Sequence, residues 1–194
     1  MAELALSADD AELLAAFHGG LYLAEFERQR EPLATWRQRL ADRDGAYELC
    51  VVIAGDDLLD SRARAIHGAV VCEYYPKSSC GLITYLVVDP SKRKQGLGRR
   101  LLSRARTELT ARANAKQRSL ALVLGEVSNP DTRPEADALP ARNRLQWFER
   151  QNARVLEISY VQPDLRSGLG RDRDLLLLAF FDHDAPRSIP SADV

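Results

Sequence analysis

The chain has 194 residues, a formal net charge of −1 at pH 7 and a hydrophobic fraction of 45%. These values are ordinary for a globular protein with one full core, and no apolar run approaches the ~20 residues of a membrane-spanning helix. The acidic N-terminus MAELALSADD has no basic segment and does not resemble a secretory signal. We therefore expect a cytoplasmic protein that does not bind membranes.

Cys50, Cys72 and Cys80 lack the close Cys-x-x-Cys spacing of a zinc site. We interpret them as small apolar strand residues in a reducing compartment, and we expect no metal site. The three histidines are scattered along the sequence and suggest neither a metal site nor a catalytic triad.

The first part of the chain predicts two helices. The first opens at residues 7–10, where a serine precedes an acidic residue by three positions, and Gly19-Gly20 is expected to end it. The second has Pro32 in its first turn and Trp36 on its apolar face, and it ends near residues 44–45.

Three strands without an intervening helix are predicted next, at residues 47–53, 66–75 and 81–88, as an antiparallel meander. Apolar residues at helical spacing then predict a helix over residues 97–115. This helix would cross over to a strand parallel to the one before it.

That parallel strand is predicted over residues 119–127. The polar segment 128–138 is expected to be an exposed loop, and a helix over residues 141–151 follows it. Strands at residues 154–160 and 174–181 complete the predicted sheet.

A basic, glycine-containing segment joins the strand at 81–88 to the long helix. Gly96 and Gly98 sit at the start of that helix, among the cations Arg93, Lys94 and Arg99. The first turn of a helix has unpaired N–H groups and a partial positive charge, so these residues predict a site for an anion such as phosphate. An ordinary solvated turn between strand and helix is the alternative.

The charge is distributed unevenly. Residues 91–118 contain ten basic residues and one acidic residue, although the whole chain is nearly neutral. A local basic block beside an acidic remainder favours a compact polyanion, such as a nucleotide-bearing cofactor, over nucleic acid. The block also lacks exposed aromatic residues for stacking on bases. The basic residues after Arg100 are better explained as the solvated face of the helix.

The pattern Arg93-x-x-Gly96-x-Gly98 follows a Val-Asp-Pro strand end and precedes Arg-x-Leu-Leu. It resembles the coenzyme A pyrophosphate loop of the GNAT acyltransferase superfamily. The resemblance is clear over residues 68–113, and it implies acetyl-CoA as the cofactor. The residues it implies for the pyrophosphate site are Arg93, Lys94, Gln95, Gly96, Leu97, Gly98 and Arg99.

The resemblance also implies an α+β fold, with a mixed, mostly antiparallel sheet of six to seven strands flanked by helices. Two central parallel strands would splay apart in this sheet. Main-chain N–H groups of Leu86, Val87 and Val88 would then bind the pantetheine amide and the thioester oxygen. We expect a single domain over residues 1–184 and a loosely ordered tail over residues 185–194.

The segment between the first two helices commonly lines the acceptor pocket in GNAT proteins. The resemblance therefore implies Tyr22, Glu25 and Phe26 as substrate-binding residues. Tyr22 and Phe26 are also four residues apart, which is the spacing of two core residues on one helical face. That structural interpretation is the stronger alternative for this pair.

Two carboxylates, Glu73 and Glu126, interrupt apolar strands near their ends and are candidate general bases. Each could equally pair with an arginine. The tyrosine that serves as general acid in GNAT enzymes is replaced here by Phe148. Tyr160 is our predicted replacement, with Tyr85 or water as alternatives.

The resemblance thus implies an N-acetyltransferase that transfers an acetyl group from acetyl-CoA to a primary amine of a small molecule or peptide. The amine would attack directly within a ternary complex. The absence of the family's tyrosine keeps open a second hypothesis, a non-catalytic coenzyme A-binding sensor or partner module. Dimers are common among such proteins, so a homodimer is an open alternative to a monomer.

Overall fold

The computed structural model describes residues 1–26, 31–42, 45–162 and 171–181. These residues fall into two compact units, one ending at Leu120 and the other starting at Ala121. The described part of the first unit contains β1 (Ala2–Ala5), α1 (Ala11–Phe17), α2 (Leu23–Glu25), α3 (Leu33–Ala41), β2 (Glu48–Asp56), β3 (Ala65–Tyr75), β4 (Cys80–Val88) and α4 (Leu97–Ala115). The described part of the second contains β5 (Leu122–Ser128), α5 (Glu135–Glu149), β6 (Ala153–Val155) and β7 (Leu175–Phe180).

The sheet of the first unit is antiparallel, in the order β1-β2-β3-β4. One core cluster joins alternate strand residues such as Val51 and Ile53 to Phe17 of α1 and Trp36 of α3. The strands bury both faces, which explains their nearly continuous apolar sequences. Cys50 and Cys72 are opposite each other on β2 and β3, and both are buried free thiols.

Two strand glycines allow α4 to pack closely on the sheet. A Cβ atom at Gly68 would lie 2.8 Å from the Val87 carbonyl oxygen and 3.1 Å from Leu101 Cδ1. A Cβ atom at Gly81 would lie 2.5 Å from Leu109 Cδ1. These contacts leave no room for a larger residue, so the two glycines fix the position of α4 and of the loop before it.

The second unit is built on a smaller antiparallel sheet. β7 pairs with β5 on one side and with β6 on the other. The Phe148 ring of α5 packs edge to face on the Phe180 ring of β7, with 5.8 Å between ring centroids. This contact contributes to the apolar core of the unit.

The α+β fold class, the antiparallel meander and the long helix are confirmed, and α4 has the predicted bounds. The strands predicted to form the central parallel pair are β4 in the first unit and β5 in the second. The single domain remains a prediction. The predicted tail lies outside the described residues.

The sequence predicted that Gly19 and Gly20 would end the first helix, and this prediction was wrong. The chain continues through a π-helical turn, His18–Tyr22, into α2. Glycine in a helix interior costs about 1 kcal/mol relative to alanine. Burial of Phe17 and Tyr22 in the core outweighs this cost.

The other differences concern element bounds. α5 begins at Glu135, inside the segment predicted to be a loop, because Glu135 and Asp137 occupy its first turn and interact favourably with the helix dipole. β6 ends at Val155, so Tyr160 lies beyond the strand that was predicted to contain it. β1 was not predicted. No helix among the described residues is long and apolar enough to cross a membrane.

Candidate active site

The loop between β4 and α4 is held by short-range hydrogen bonds. Asp89 Oδ1 accepts from Ser91 N at 2.8 Å and from Ser91 Oγ at 2.5 Å, and these bonds lower the pKa of Asp89. Gln95 Nε2 donates to the Ser91 carbonyl at 3.3 Å. Asp89 thereby caps the 3₁₀ turn Pro90–Lys92 and fixes the path of the chain toward α4.

Gly96 precedes α4 in the left-handed conformation, with φ of +79°. This conformation favours glycine. The direction in which a Cβ atom would point is open, with no heavy atom within 4 Å. Because the first-turn N–H groups of α4 have no acceptor within the helix, a ligand oxygen can approach the main chain here.

The cations of this loop have different partners. Arg93 donates from Nε to the Val88 carbonyl at 3.0 Å and from Nη2 to Glu25 at 2.6 Å. Arg100 pairs with Glu3 at 2.8 Å. Within the ranges that the structure describes, Lys94 and Arg99 are exposed and have no carboxylate partner.

The loop therefore fits the pyrophosphate of coenzyme A. It combines a left-handed glycine with open space, a free helix N-terminus and two cations that no described carboxylate neutralises. Gln95, Leu97 and Gly98 lie in the same segment, and the Leu97 side chain is buried beneath it. The pyrophosphate-binding role of all seven residues remains a prediction.

Leu86, Val87 and Val88 lie at the end of β4, directly before this loop. They pair with Val70, Ala69 and Gly68 of β3, respectively. Their proposed main-chain contacts to the pantetheine remain a prediction.

The predicted acceptor residues separate into two groups. Tyr22 and Phe26 are in contact, with ring centroids 5.4 Å apart, and both rings contact Tyr85 of β4. Tyr22 is fully buried, as the core interpretation expected, whereas Phe26 is half-buried. Glu25 instead pairs with Arg93 of the loop. A substrate contact by any of the three remains a prediction.

Glu31 was missed by the sequence analysis, although three side chains bind it. His18 Nε2 donates to its carbonyl oxygen at 2.8 Å, and its N–H donates to Tyr22 Oη at 2.9 Å. Tyr85 Oη donates to its Oε1 at 3.0 Å. The only sequence signal is an acidic residue directly before Pro32 at the start of α3. The partners are up to 54 positions away.

Glu73, a predicted base, is only 8% exposed on β3 and accepts a hydrogen bond from Tyr75 Oη. Burial, followed by the Glu73 carboxylate, raises the pKa of Tyr47. The Glu31 carboxylate adds to this effect. Arg39, whose guanidinium lies over the Tyr47 ring, opposes this shift.

In the second unit the structure brings together two residues that were selected separately. Tyr160 Oη donates to Glu126 Oε1, and Gln162 Nε2 donates to Glu126 Oε2 at 2.7 Å. Burial raises the pKa of Glu126, although the two hydrogen bonds oppose that shift. Gln162 is itself buried and fixed through its N–H to the Asp172 carbonyl at 2.8 Å. Both oxygens of the carboxylate are thus oriented.

Phe148, at the position of the tyrosine in GNAT enzymes, is a core residue and has no hydroxyl. Tyr85 is a poor replacement acid, because burial and the Glu31 carboxylate strongly raise its pKa. Tyr160 remains the predicted acid.

The sequence model of the Acetyltransferase (GNAT) family matches residues 12–133. A putative acetyltransferase from the GNAT family of Bacteroides thetaiotaomicron has a similar structure. Its TM-score is 0.64 at 19% identity, with 95% of this chain and 89% of that chain covered.

Two further structures have related folds. An aminoglycoside 6'-N-acetyltransferase complexed with coenzyme A has a TM-score of 0.60 at 15% identity, covering 96% of this chain and 99% of that chain. The ribosomal-protein-S18-alanine N-acetyltransferase of Escherichia coli has a TM-score of 0.53 at 16% identity, covering 97% and 99%. No curated protein matches the sequence.

Proposed function

Because the chain belongs to the GNAT acetyltransferase family, whose cofactor is acetyl-CoA, we propose that it is an N-acetyltransferase acting on a primary amine of a small molecule or peptide. We propose direct attack by the amine within a ternary complex. The observation that carries the proposal is the Gly96 loop, where a left-handed glycine leaves the N-terminus of α4 open. Among the named neighbours, one acts on an aminoglycoside and one on a ribosomal protein, which supports both acceptor classes.

In this proposal Lys94 and Arg99 neutralise the pyrophosphate, and the main chain from Gly96 to Arg99 donates hydrogen bonds to it. Arg93 holds the loop against Glu25 and the end of β4. The N–H groups of residues 86–88 orient the pantetheine. Acetyl-CoA, when bound, supplies the acetyl group as a thioester.

Glu126 is the proposed general base. A bond forms between the amine nitrogen and the acetyl carbon, the carbon–sulfur bond breaks, and the amine proton passes to Glu126. Its raised pKa makes the carboxylate a better proton acceptor than an exposed one. A thiol with a pKa of about 8.5 leaves readily as the thiolate, with Tyr160 as the proposed proton donor. Glu73 is the alternative base.

The test combines binding and turnover. Calorimetry with acetyl-CoA and coenzyme A should show binding to the wild type that is lost in Gly96→Glu, because a carboxylate would occupy the anion site. Gly19→Glu is the matched control, since Gly19 is also exposed with open space around it. It should bind as the wild type does.

A panel of primary amines, monitored by release of free thiol, then tests acetyl transfer. The three cysteines are buried and should contribute little background signal. Turnover lost in Gly96→Glu supports the proposal. Cofactor binding without turnover of any amine would favour the non-catalytic module, and a folded wild type that binds neither compound would overturn the cofactor site.

A further inference from the structure

Glu31 is held in one orientation by groups that cannot move easily. Its main chain is fixed on both sides, by His18 at the carbonyl and by Tyr22 at the N–H. Tyr22 and Tyr85 are 0% and 3% exposed, and His18 is 8% exposed. Three buried side chains therefore fix the main chain of Glu31 and one oxygen of its carboxylate.

The carboxylate of Glu31 has an anionic charge that the described residues leave without a cation. Its hydrogen bond comes from the neutral Tyr85 hydroxyl. Because burial strongly raises the pKa of Tyr85, that hydroxyl stays protonated and continues to donate across the physiological pH range. No arginine or lysine of the described ranges forms an ion pair with Glu31.

The Tyr85 ring, which binds this carboxylate through its hydroxyl, belongs to a cluster of aromatic rings. The Tyr85 ring, whose hydroxyl binds Glu31, lies 4.9 Å from the half-buried Phe26 ring and nearly perpendicular to it, at 65°. Aromatic rings attract ammonium groups through their π faces, and a fixed carboxylate beside them adds a direct ionic contact. Because Tyr85 is only 3% exposed, the half-buried Phe26 ring is the one that would offer its face to an organic cation, and Glu31 would supply the opposite charge.

We infer that Glu31, positioned by Tyr85, binds a second ammonium group of the acceptor, so that the substrates are small molecules with at least two amino groups. This inference rests on the proposed acetyl transfer. The amine that attacks the thioester must be neutral, whereas a group bound by a carboxylate and aromatic rings is retained as a cation.

The test compares two primary amines of equal chain length, 1,4-diaminobutane and n-butylamine. We expect the wild type to prefer the diamine by about tenfold in kcat/KM, which is typical of one charge-assisted contact. Glu31→Gln should lower this preference to near one and leave the KM for acetyl-CoA unchanged. Glu12→Gln, at an exposed glutamate paired with Arg64, is the control and should keep the preference.

Tyr85→Phe retains the ring and removes only the hydroxyl that orients Glu31. A positioning role predicts a partial loss of the diamine preference with unchanged affinity for acetyl-CoA. Equal turnover of both amines by the wild type, or an unchanged preference in Glu31→Gln, would overturn the inference while acetyl transfer stands.

If no amine is acetylated, direct binding of 1,4-diaminobutane by ligand-observed NMR still decides the matter. Binding to the wild type that is weakened in Glu31→Gln supports the cation site even though the proposed transfer fails. Equal binding to the two proteins, or none to either, overturns it.

Discussion

Two pairs in which a tyrosine donates a hydrogen bond to a glutamate, Tyr85–Glu31 in the first unit and Tyr160–Glu126 in the second, differ in which partner has its pKa raised by burial. In the first unit the tyrosine is deeply buried, and the pKa of Tyr85 is strongly raised. In the second unit burial acts on the carboxyl group, and the pKa of Glu126 is raised. The same hydrogen bond therefore occurs in two different electrostatic environments.

This difference separates two chemical roles. A tyrosine that does not ionise is a fixed donor, so the pair Tyr85–Glu31 suits recognition of a charge. A carboxylate with a raised pKa accepts a proton more readily, so the pair Tyr160–Glu126 suits proton transfer. Burial, more than residue type, distinguishes the two pairs.

The largest expected effect comes from Glu126→Gln. Loss of the general base should lower kcat by about 10²–10⁴-fold while binding of acetyl-CoA is unchanged. Glu31→Gln should instead change the kinetics mainly for acceptors that have a second ammonium group. Glu157→Gln, at an exposed glutamate of the second unit, is the control and should have no effect. Steady-state kinetics at saturating cofactor measures the difference. Full activity in Glu126→Gln would assign the base role elsewhere, with Glu73 as the next candidate.

Trp36→Ala tests how much the aromatic core beside the Tyr85–Glu31 pair contributes to stability. The Trp36 ring contacts both Tyr22 and Tyr85, at centroid distances of 4.6 and 5.8 Å, and is 1% exposed. The resulting cavity should lower the free energy of unfolding by about 3–5 kcal/mol. Denaturant unfolding measures it, with the 77% exposed Leu59 as the site of a control Leu59→Ala substitution. A decrease in the free energy of unfolding below about 1 kcal/mol would contradict a core role for Trp36 and the two tyrosine rings it contacts.

Tyr160→Phe should shift the pH dependence of kcat through the Tyr160–Glu126 pair. The Tyr160 hydroxyl stabilises the charged carboxylate, so its removal should raise the pKa of Glu126 further. Since a base must be deprotonated, the acidic limb of the kcat profile should move to higher pH. Tyr85→Phe should leave that limb in place. NMR titration of the Glu126 carboxyl carbon measures the same pKa shift without turnover. An unchanged pKa would show that the Tyr160 hydroxyl does not stabilise the Glu126 carboxylate.

The smallest expected effect is on stability. Because the folded-state pKa of Glu126 lies above its usual 4.5, the folded protein binds this proton more tightly than the unfolded chain. The stability contribution of Glu126 should therefore fall as pH rises from about 4.5 through the raised value. Glu126→Gln removes this dependence, so its stability relative to the wild type should increase over the same window. Urea unfolding at several pH values checks the sign, and the opposite slope would contradict the raised pKa.

The sequence was most informative where the relevant contacts are short in range. The loop after β4 is held by bonds between residues two to five positions apart, such as Asp89–Ser91 and Arg93–Val88. Local sequence therefore predicted the loop and the start of α4, whereas the left-handed conformation of Gly96 was seen only in the structure. The pairing of Arg93 with Glu25, 68 positions away, could not be predicted in this way.

Glu31 illustrates the opposite case. Nothing in its immediate sequence distinguishes it from other acidic residues, and its importance comes from three side chains brought to it by α1, the π-helical turn and β4. Glu126 and Tyr160 are intermediate, because each was selected from the sequence but their contact was not foreseen. Even the helix bounds depended on packing, since burial of Tyr22 stabilises the helical turn that contains Gly19 and Gly20.

The sequence by itself determined the family, through its resemblance over residues 68–113, and the α+β class, because apolar periodicity acts over a few residues. The anion loop, which rests on glycines and charges that are close in the sequence, stays a prediction. Only the tertiary structure decided which carboxylates face tyrosines and which partner of each pair is buried. The reason is that desolvation depends on the whole packing around a group, and the residues that supply it are far apart in the chain.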